Sequence, residues 1–180
     1  GRMTLNPLAH IDPIGFILLV LFGFGWAKPV PVNPRNYNNF KKGEIVVSLA
    51  GVTMNLILAV VGAMILYTML AVNGYKMMTD SVLSTIARIL YYFVGLNCGL
   101  IVFNLIPIPP LDGSRIVGLL IPNKIYYQIM KYERYIIIVV FVLLALGWLS
   151  TPLSWLTDKV LYGISWLVSK PFGEYGDMFM

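Results

Sequence analysis

ILYYFVGLNCGLIVFNLIPIPPLDG, residues 89–113, begins with 18 uncharged residues (89–106). Three prolines follow this run, and the stretch ends with Asp112 and Gly113. About 20 apolar residues are enough to cross a bilayer as a helix. A broken helix beside an ionisable group is costly in lipid, so it persists mainly where protein or water surrounds it. The stretch therefore predicts a membrane helix that stops at a functional site.

Composition places the chain among α-helical polytopic membrane proteins. It is 58% hydrophobic and 12% charged, with a mean hydropathy of +0.79. The net charge of +5 comes from Lys and Arg residues scattered between apolar runs, which favours loops and lipid headgroups over nucleic acid. The single cysteine, Cys98, excludes an internal disulfide and a Cys-based zinc cage. The single histidine, His10, means that this chain alone cannot supply a two-His metal site.

Further apolar runs predict more helices. Residues 45–72 are uncharged for 28 positions and predict a full span, followed by a turn at Asn73-Gly74. Residues 135–157 form a third apolar stretch, which Pro152 is expected to interrupt. Residues 160–169 are expected to be interfacial or a short return.

Charge then sets the orientation. The segments 28–44 and 107–134 carry most of the basic residues, whereas 73–81 holds only one Lys against one Asp. Because two predicted spans separate the basic segments, the positive-inside rule places both in the cytoplasm. Asn104 and Asp112 are accordingly expected near the cytoplasmic end of their helix.

Asp112 and Asn104 each allow two interpretations. An Asp after a proline run commonly caps the helix that follows, but a carboxylate at the membrane edge could also bind metal or handle protons. An Asn near a helix end is usually a cap or an interhelical hydrogen-bond partner. Its amide could instead stabilise an oxyanion, because that task needs a neutral donor.

Other polar and small residues are weaker candidates. Gly51 and Asn55 lie on one helix face. The simpler interpretation is that Gly51 forms a notch for helix packing and that Asn55 makes a hydrogen bond beside it. Gly95 and Gly99 form a small-xxx-small pair that is typical of close helix packing. His10, two residues before Asp12, is expected to make a local hydrogen bond more readily than to bind metal.

Four segments in this order and spacing give the chain a family resemblance. It resembles the site-2 protease family of intramembrane zinc metalloproteases, in the compact prokaryotic branch without a PDZ domain. The similarity covers roughly residues 1–120, and the LDG segment is its most specific part. The segments are GRMTLNPLAHIDPIG, FGWAKPVPVNP, SLAGVTMN and FNLIPIPPLDGSRI.

The resemblance implies roles for individual residues. Asp112 matches the Asp that binds Zn²⁺ in the family, and Asn104 matches the Asn thought to stabilise the tetrahedral intermediate. Asn55 matches a position near the active site. His10 matches a family histidine to which no role is assigned.

The resemblance also implies an architecture. We expect a single membrane-embedded domain over residues 1–180, with a protease core at 1–120 and C-terminal helices at 121–180. Segments 3–8 and 28–33 would form a small membrane-associated β-sheet, whose edge could pair with an unwound substrate. The H-E-x-x-H motif of the family does not occur in the sequence. We expect it on a helix that precedes Gly1.

Three functions are compatible with these patterns. The first is an intramembrane zinc endopeptidase that cuts transmembrane proteins, either membrane-anchored regulators or remnant signal peptides. The second is a catalytically inactive scaffold that binds transmembrane helices, which the missing histidines favour if the chain is complete. A small transporter is weaker, because no paired repeat halves are visible.

Overall fold

The computed structural model of the chain describes residues 4, 6–22, 25, 27–28, 40–74 and 76–172. Contacts divide the chain into two compact units, residues 1–40 and 41–180. Each unit is described by itself. The predicted single domain, with its boundary near residue 120, stays a prediction.

The first unit contains two short helical elements. A 3-10 helix covers Pro7–Ala9, and helix α1 covers Pro13–Phe22. Asp12 caps α1, because its Oδ1 accepts hydrogen bonds from the backbone N–H groups of Ile14 (3.1 Å) and Gly15 (3.0 Å).

The predicted small β-sheet is not supported in the described part of this unit. The expected strand 3–8 is wrong at its described end, where residues 7–9 form the 3-10 helix. Pro7 has a fixed φ and lacks the backbone N–H that would donate a hydrogen bond to a partner strand. The expected strand 28–33 lies outside the described residues after its first position. Ile11 and Ala27 form one isolated antiparallel bridge.

Two long apolar helices form the frame of the second unit. Helix α2 covers Phe40–Asn73 and helix α4 covers Ser81–Leu105, with the short helix α3 (Lys76–Thr79) between them. Both helices are long and apolar enough to cross a membrane, so the helices predicted at 45–72 and 89–106 are present, the second ending at Leu105.

Local signals explain where these helices end and begin. The turn predicted at Asn73-Gly74 is present, and Gly74 has the positive φ of 45° that glycine adopts easily. The Asp80 carboxylate caps α4 by accepting hydrogen bonds from the N–H groups of Val82 (2.8 Å) and Leu83 (3.1 Å).

The rest of the described chain forms four further helices. They are shorter than α2 and α4, and the last two form a pair that is bent by 85° at its break. The helices are α5 (Asp112–Gly118), α6 (Asn123–Lys131), α7 (Glu133–Ala145) and α8 (Ser150–Ser169).

The break in the third apolar stretch falls at Gly147, not at Pro152 as predicted. Gly147 has φ 75°, and the Trp148 N–H donates back to the Leu143 carbonyl (3.1 Å), which is the Schellman pattern that ends helices. Pro152 lies in the first turn of α8, where a missing N–H breaks no hydrogen bond. Residues 160–169, expected to be interfacial or a short return, continue α8.

A shared core joins α2, α4 and α8. Its members are small or aliphatic residues repeated every three or four positions on each helix, with one tyrosine. They are Ala59, Ala63, Leu66, Tyr67 and Leu70 from α2, Val94 and Cys98 from α4, and Ile164 and Val168 from α8. Large apolar side chains on the outer faces, such as Val46, Leu56 and Val72, stay exposed, as expected of lipid-facing surfaces.

Helices α2 and α4 contact each other at Gly62. A Cβ there would lie 3.0 Å from the Phe93 ring and 3.1 Å from Val94, so α2 and α4 approach closely at this point. Among the described residues, a Cβ at Gly95 would meet nothing within 4 Å, so its expected packing role is wrong there. Gly99 is in ordinary contact range of α8.

We expect Gly62→Leu to destabilise the protein by about 1–3 kcal/mol, because overpacking a filled contact costs that much. The matched variant Gly95→Leu places the same side chain in open space on α4. It should stay within about 1 kcal/mol of the native protein, the range of the helix-propensity difference. Thermal unfolding in detergent measures both variants. Equal midpoints for the two would contradict the close α2–α4 contact.

Candidate active site

The chain turns sharply between α4 and α5. Ile106 leaves the helix with extended backbone (φ −61°, ψ 130°), and its N–H still reaches the Phe103 carbonyl (3.2 Å). The Leu111 N–H donates to the Ile108 carbonyl (2.9 Å), so the proline segment closes on itself. Its Pro109–Pro110 bond is cis. The predicted break in the membrane helix is therefore a compact corner.

Gly113 allows this corner to close. A Cβ at this position would clash with the backbone of Leu105, including its carbonyl oxygen, and would lie 2.6 Å from the Ile106 carbonyl oxygen. Because backbone cannot move aside as a flexible side chain can, only glycine fits here. The first turn of α5 therefore packs directly on the last residues of α4.

Asp112 is the first residue of α5, and it does not cap that helix. The N-cap position belongs to Leu111, and no side chain makes a capping hydrogen bond there. Within the described part of the chain, the Asp112 carboxylate accepts no hydrogen bond. The capping interpretation of Asp112 is thus wrong, and the carboxylate is left available for another partner.

The Asp112 carboxylate faces α2 at Gly51. An ideal Cβ on Gly51 would lie 3.8 Å from Oδ2 of Asp112, so the absence of a side chain leaves α2 open beside this oxygen. The structure therefore brings together two motifs that are 61 positions apart in sequence, SLAGVTMN and LDG. Sequence alone had suggested only a packing notch at Gly51.

Two effects act on the charge of Asp112. Burial raises the pKa of this carboxyl above its usual range, and the nearby Arg115 guanidinium acts in the opposite direction with a smaller effect. Because burial has the larger effect, the pKa of the Asp112 carboxyl stays above its usual range.

An ion pair connects α5 to the start of α2. Nη1 of Arg115 lies 3.0 Å from Oε2 of Glu44, whose side chain is only 15% exposed. The Tyr126 ring of α6 covers α5 at Gly118, where an added Cβ would clash with the ring. Burial is the main reason that the pKa of Tyr126 is raised, while the Arg115 charge lowers this pKa and the Glu44 charge raises it. Sequence reasoning missed this group, although Glu44 was the only acid in a basic segment.

Ser48 lies on the same face of α2 as Glu44 and Gly51, between them. Its side chain is fully buried, and its Oγ has no hydrogen-bond partner among the described residues. Asn55 lies one turn beyond Gly51 and is half-buried, on the side away from Glu44. This face of α2 therefore carries a row of small and polar residues toward the corner.

Asn104 is the penultimate residue of α4, so it directly precedes the corner. Asn104 is half-buried in the last turn of α4, and within the described chain its amide makes no hydrogen bond.

His10 belongs to the first unit, where it makes a local contact. Its Nε2 lies 2.9 Å from the Thr4 carbonyl oxygen, and its own carbonyl accepts the Lys28 N–H (2.8 Å). The expected local hydrogen bond is therefore present.

The described residues do not complete a zinc site. No group of three or more His, Cys, Asp or Glu side chains that could hold a metal occurs in the described ranges. Around the corner, Asp112 offers one carboxylate, while Glu44 is already paired with Arg115. Zinc in proteins normally takes at least three protein ligands.

We expect Gly113→Ala to destabilise the folded protein by about 3 kcal/mol, the upper end of the usual cost of overpacking, because the added methyl meets backbone. Gly163→Ala in α8 is the matched control, since a Cβ there meets nothing within 4 Å of the described residues. Thermal unfolding of both variants in detergent provides the measurement. A Gly113 variant as stable as the control would contradict the described corner.

Comparison with known proteins gives two matches. The sequence profile of peptidase family M50 matches residues 16–147. A Bacillus subtilis (strain 168) protein with the curated name "Putative zinc metalloprotease YwhC" is 42% identical over 144 residues. The match covers 79% of this chain and 64% of that protein, so the chain spans less than two thirds of that relative's length. No solved structure matches the chain.

Proposed function

The chain belongs to peptidase family M50, and we propose that it forms part of a zinc metalloendopeptidase that cuts transmembrane segments of other membrane proteins. One observation carries this proposal beyond family membership. The Asp112 carboxylate, free of hydrogen bonds within the described residues, faces the bare backbone of Gly51. A partly desolvated carboxylate at the end of two membrane-spanning helices is costly unless it has a function.

We assign Asp112 as one zinc ligand of the complete protein. The matching relative's name describes a zinc metalloprotease. Because the chain has a single histidine and its described residues form no three-ligand group, the other ligands must come from outside these residues. An H-E-x-x-H helix elsewhere in the protein would supply them. Asn55, one turn from Gly51, would border the same site.

Asn104 is the proposed stabiliser of the reacting carbonyl. It lies in the last turn of α4, directly before the corner, and its amide is not engaged by the described residues. A neutral N–H donor aimed at a developing negative charge lowers the barrier to attack on a peptide carbonyl without becoming ionised itself. The carboxylate and the amide would then act from α5 and α4 on the same substrate bond.

The site would lie near the cytoplasmic face of a multi-pass protein in the cell membrane. The segments 28–44 and 107–134 carry most of the basic residues, and the positive-inside rule assigns both to the cytoplasm. The corner that holds Asp112 falls within the second of these segments. Membrane-anchored regulators and remnant signal peptides are the proposed substrates, because both present a transmembrane segment close to that face.

Changing Asp112 to Ala in the protein at its native length should abolish cleavage and lower bound zinc. Zinc content by atomic emission and cleavage of a transmembrane substrate in proteoliposomes measure the two effects. Asp158→Ala, an exposed carboxylate on α8, is the control and should retain both properties. Normal zinc content together with normal cleavage in the Asp112 variant would remove the proposed ligand. If the native protein itself neither binds zinc nor cleaves, the inactive scaffold becomes the better description.

Asn104→Ala should slow cleavage by about 10²–10³-fold and leave zinc content unchanged, because removing one oxyanion donor typically costs that much in rate. Asn73→Ala, at the opposite end of α2, should cleave normally. Single-turnover cleavage rates at saturating substrate compare the two variants. A rate for the Asn104 variant equal to that of the control would refute its role.

A further inference from the structure

Two contacts set the first turn of α5 on α2. Asp112 faces Gly51, and Arg115 pairs with Glu44 at 3.0 Å. Asp112 and Arg115 are three residues apart and therefore lie on one face of α5. Glu44 and Gly51 are seven residues apart, two turns along one face of α2. Two contacts on matching faces fix both the position of a short helix and its rotation about its axis.

The burial of Ser48 supports this arrangement. Ser48 lies between Glu44 and Gly51 on α2 and has no solvent-exposed surface. Its neighbours on this face, Glu44 and Gly51, contact Arg115 and Asp112, so the first turn of α5 extends along the face on which Ser48 lies. The surface over Ser48 therefore reports whether α5 is in place.

The ion pair also suits its surroundings. The Glu44 side chain is 15% exposed and that of Arg115 is 38% exposed, so water screens the pair less than it would on an open surface. Tyr126 packs over the other end of α5 at Gly118.

We propose that the Glu44–Arg115 ion pair is a positioning clamp, which holds the first turn of α5 on α2 so that the Asp112 carboxylate stays directed at Gly51. The clamp acts through Asp112 and has no contact with substrate. Its effect on cleavage rests on the proposed function, whereas its effect on the α2–α5 contact does not.

The first test measures cleavage by the protein at its native length with the variants Glu44→Gln, Arg115→Gln and both together. Each single variant should lower kcat by about 10–100-fold with KM nearly unchanged, because an ångström-scale misplacement of a catalytic group costs about that much. The double variant should lose no more than the worse single variant, since the two residues act through each other. Arg115→Lys, which keeps the single charged contact, should recover most of the rate. Arg134→Gln, an exposed Arg on α7, is the control for loss of charge.

The second test is independent of catalysis. A Ser48→Cys variant in a Cys98→Ala background should react slowly with a membrane-permeant maleimide. Adding Arg115→Gln should raise the labelling rate by about tenfold or more, and adding Arg134→Gln should not.

The outcomes separate the two proposals. If Arg115→Gln raises the labelling rate while the native protein neither cleaves nor binds zinc, the clamp is supported and the proposed function is refuted. If the native protein cleaves but neither its kcat nor the labelling rate depends on Glu44 and Arg115, the clamp is refuted. Additive losses in the double variant would also overturn it, because two independent residues do not form a clamp.

Discussion

Backbone-to-backbone contact at Gly113 is the constraint on which the candidate site depends. The first turn of α5 lies directly against the carbonyl groups at the end of α4, at a separation that excludes even one methyl group. This contact converts the proline break from a loose connection into a fixed corner. Because Asp112 directly precedes Gly113, the contact at Gly113 also fixes the position of the Asp112 carboxylate. This carboxylate faces α2 at Gly51, which has no side chain. Two glycines on two helices thus determine where the one available carboxylate of the corner lies.

The membrane helices could be predicted from sequence because their signal is local and strong. Long uncharged runs, the Asn73-Gly74 turn and the proline break all correspond to features of the structure. The predicted position of the break between α7 and α8 was wrong, because a proline is a strong stop signal only in a helix interior. Pro152 lies in a first turn, and the real signal was Gly147, whose positive φ ends α7. The expected strand at 3–8 is wrong at its described end for a related reason, since Pro7 favours a turn there.

The candidate site could be predicted only in part. Asp112 and Asn104 stand out because polar groups beside an apolar run are conspicuous. Their contacts depend on which face of α2 turns toward the corner, and no pattern within α5 reveals that. The ion pair between Glu44 and Arg115 joins residues that are 71 positions apart. In the sequence, nothing distinguishes either residue from other charged residues in the polar segments. Gly62 was missed for the same reason, because a glycine within an apolar helix does not indicate which neighbour approaches it.

The length of α2 has a consequence for the bilayer around the protein. Its uncharged stretch, residues 45–72, extends about 42 Å at 1.5 Å per residue, whereas a typical hydrocarbon core is about 30 Å thick. Such a mismatch is relieved when the helix tilts, when its ends reach into the headgroup layers or when nearby lipids stretch. Since Gly51 and Asp112 lie near one end of this helix, its tilt sets their depth. Bilayer thickness is therefore a physical variable that acts on the corner, and lipids of different chain length would move the carboxylate relative to the water interface.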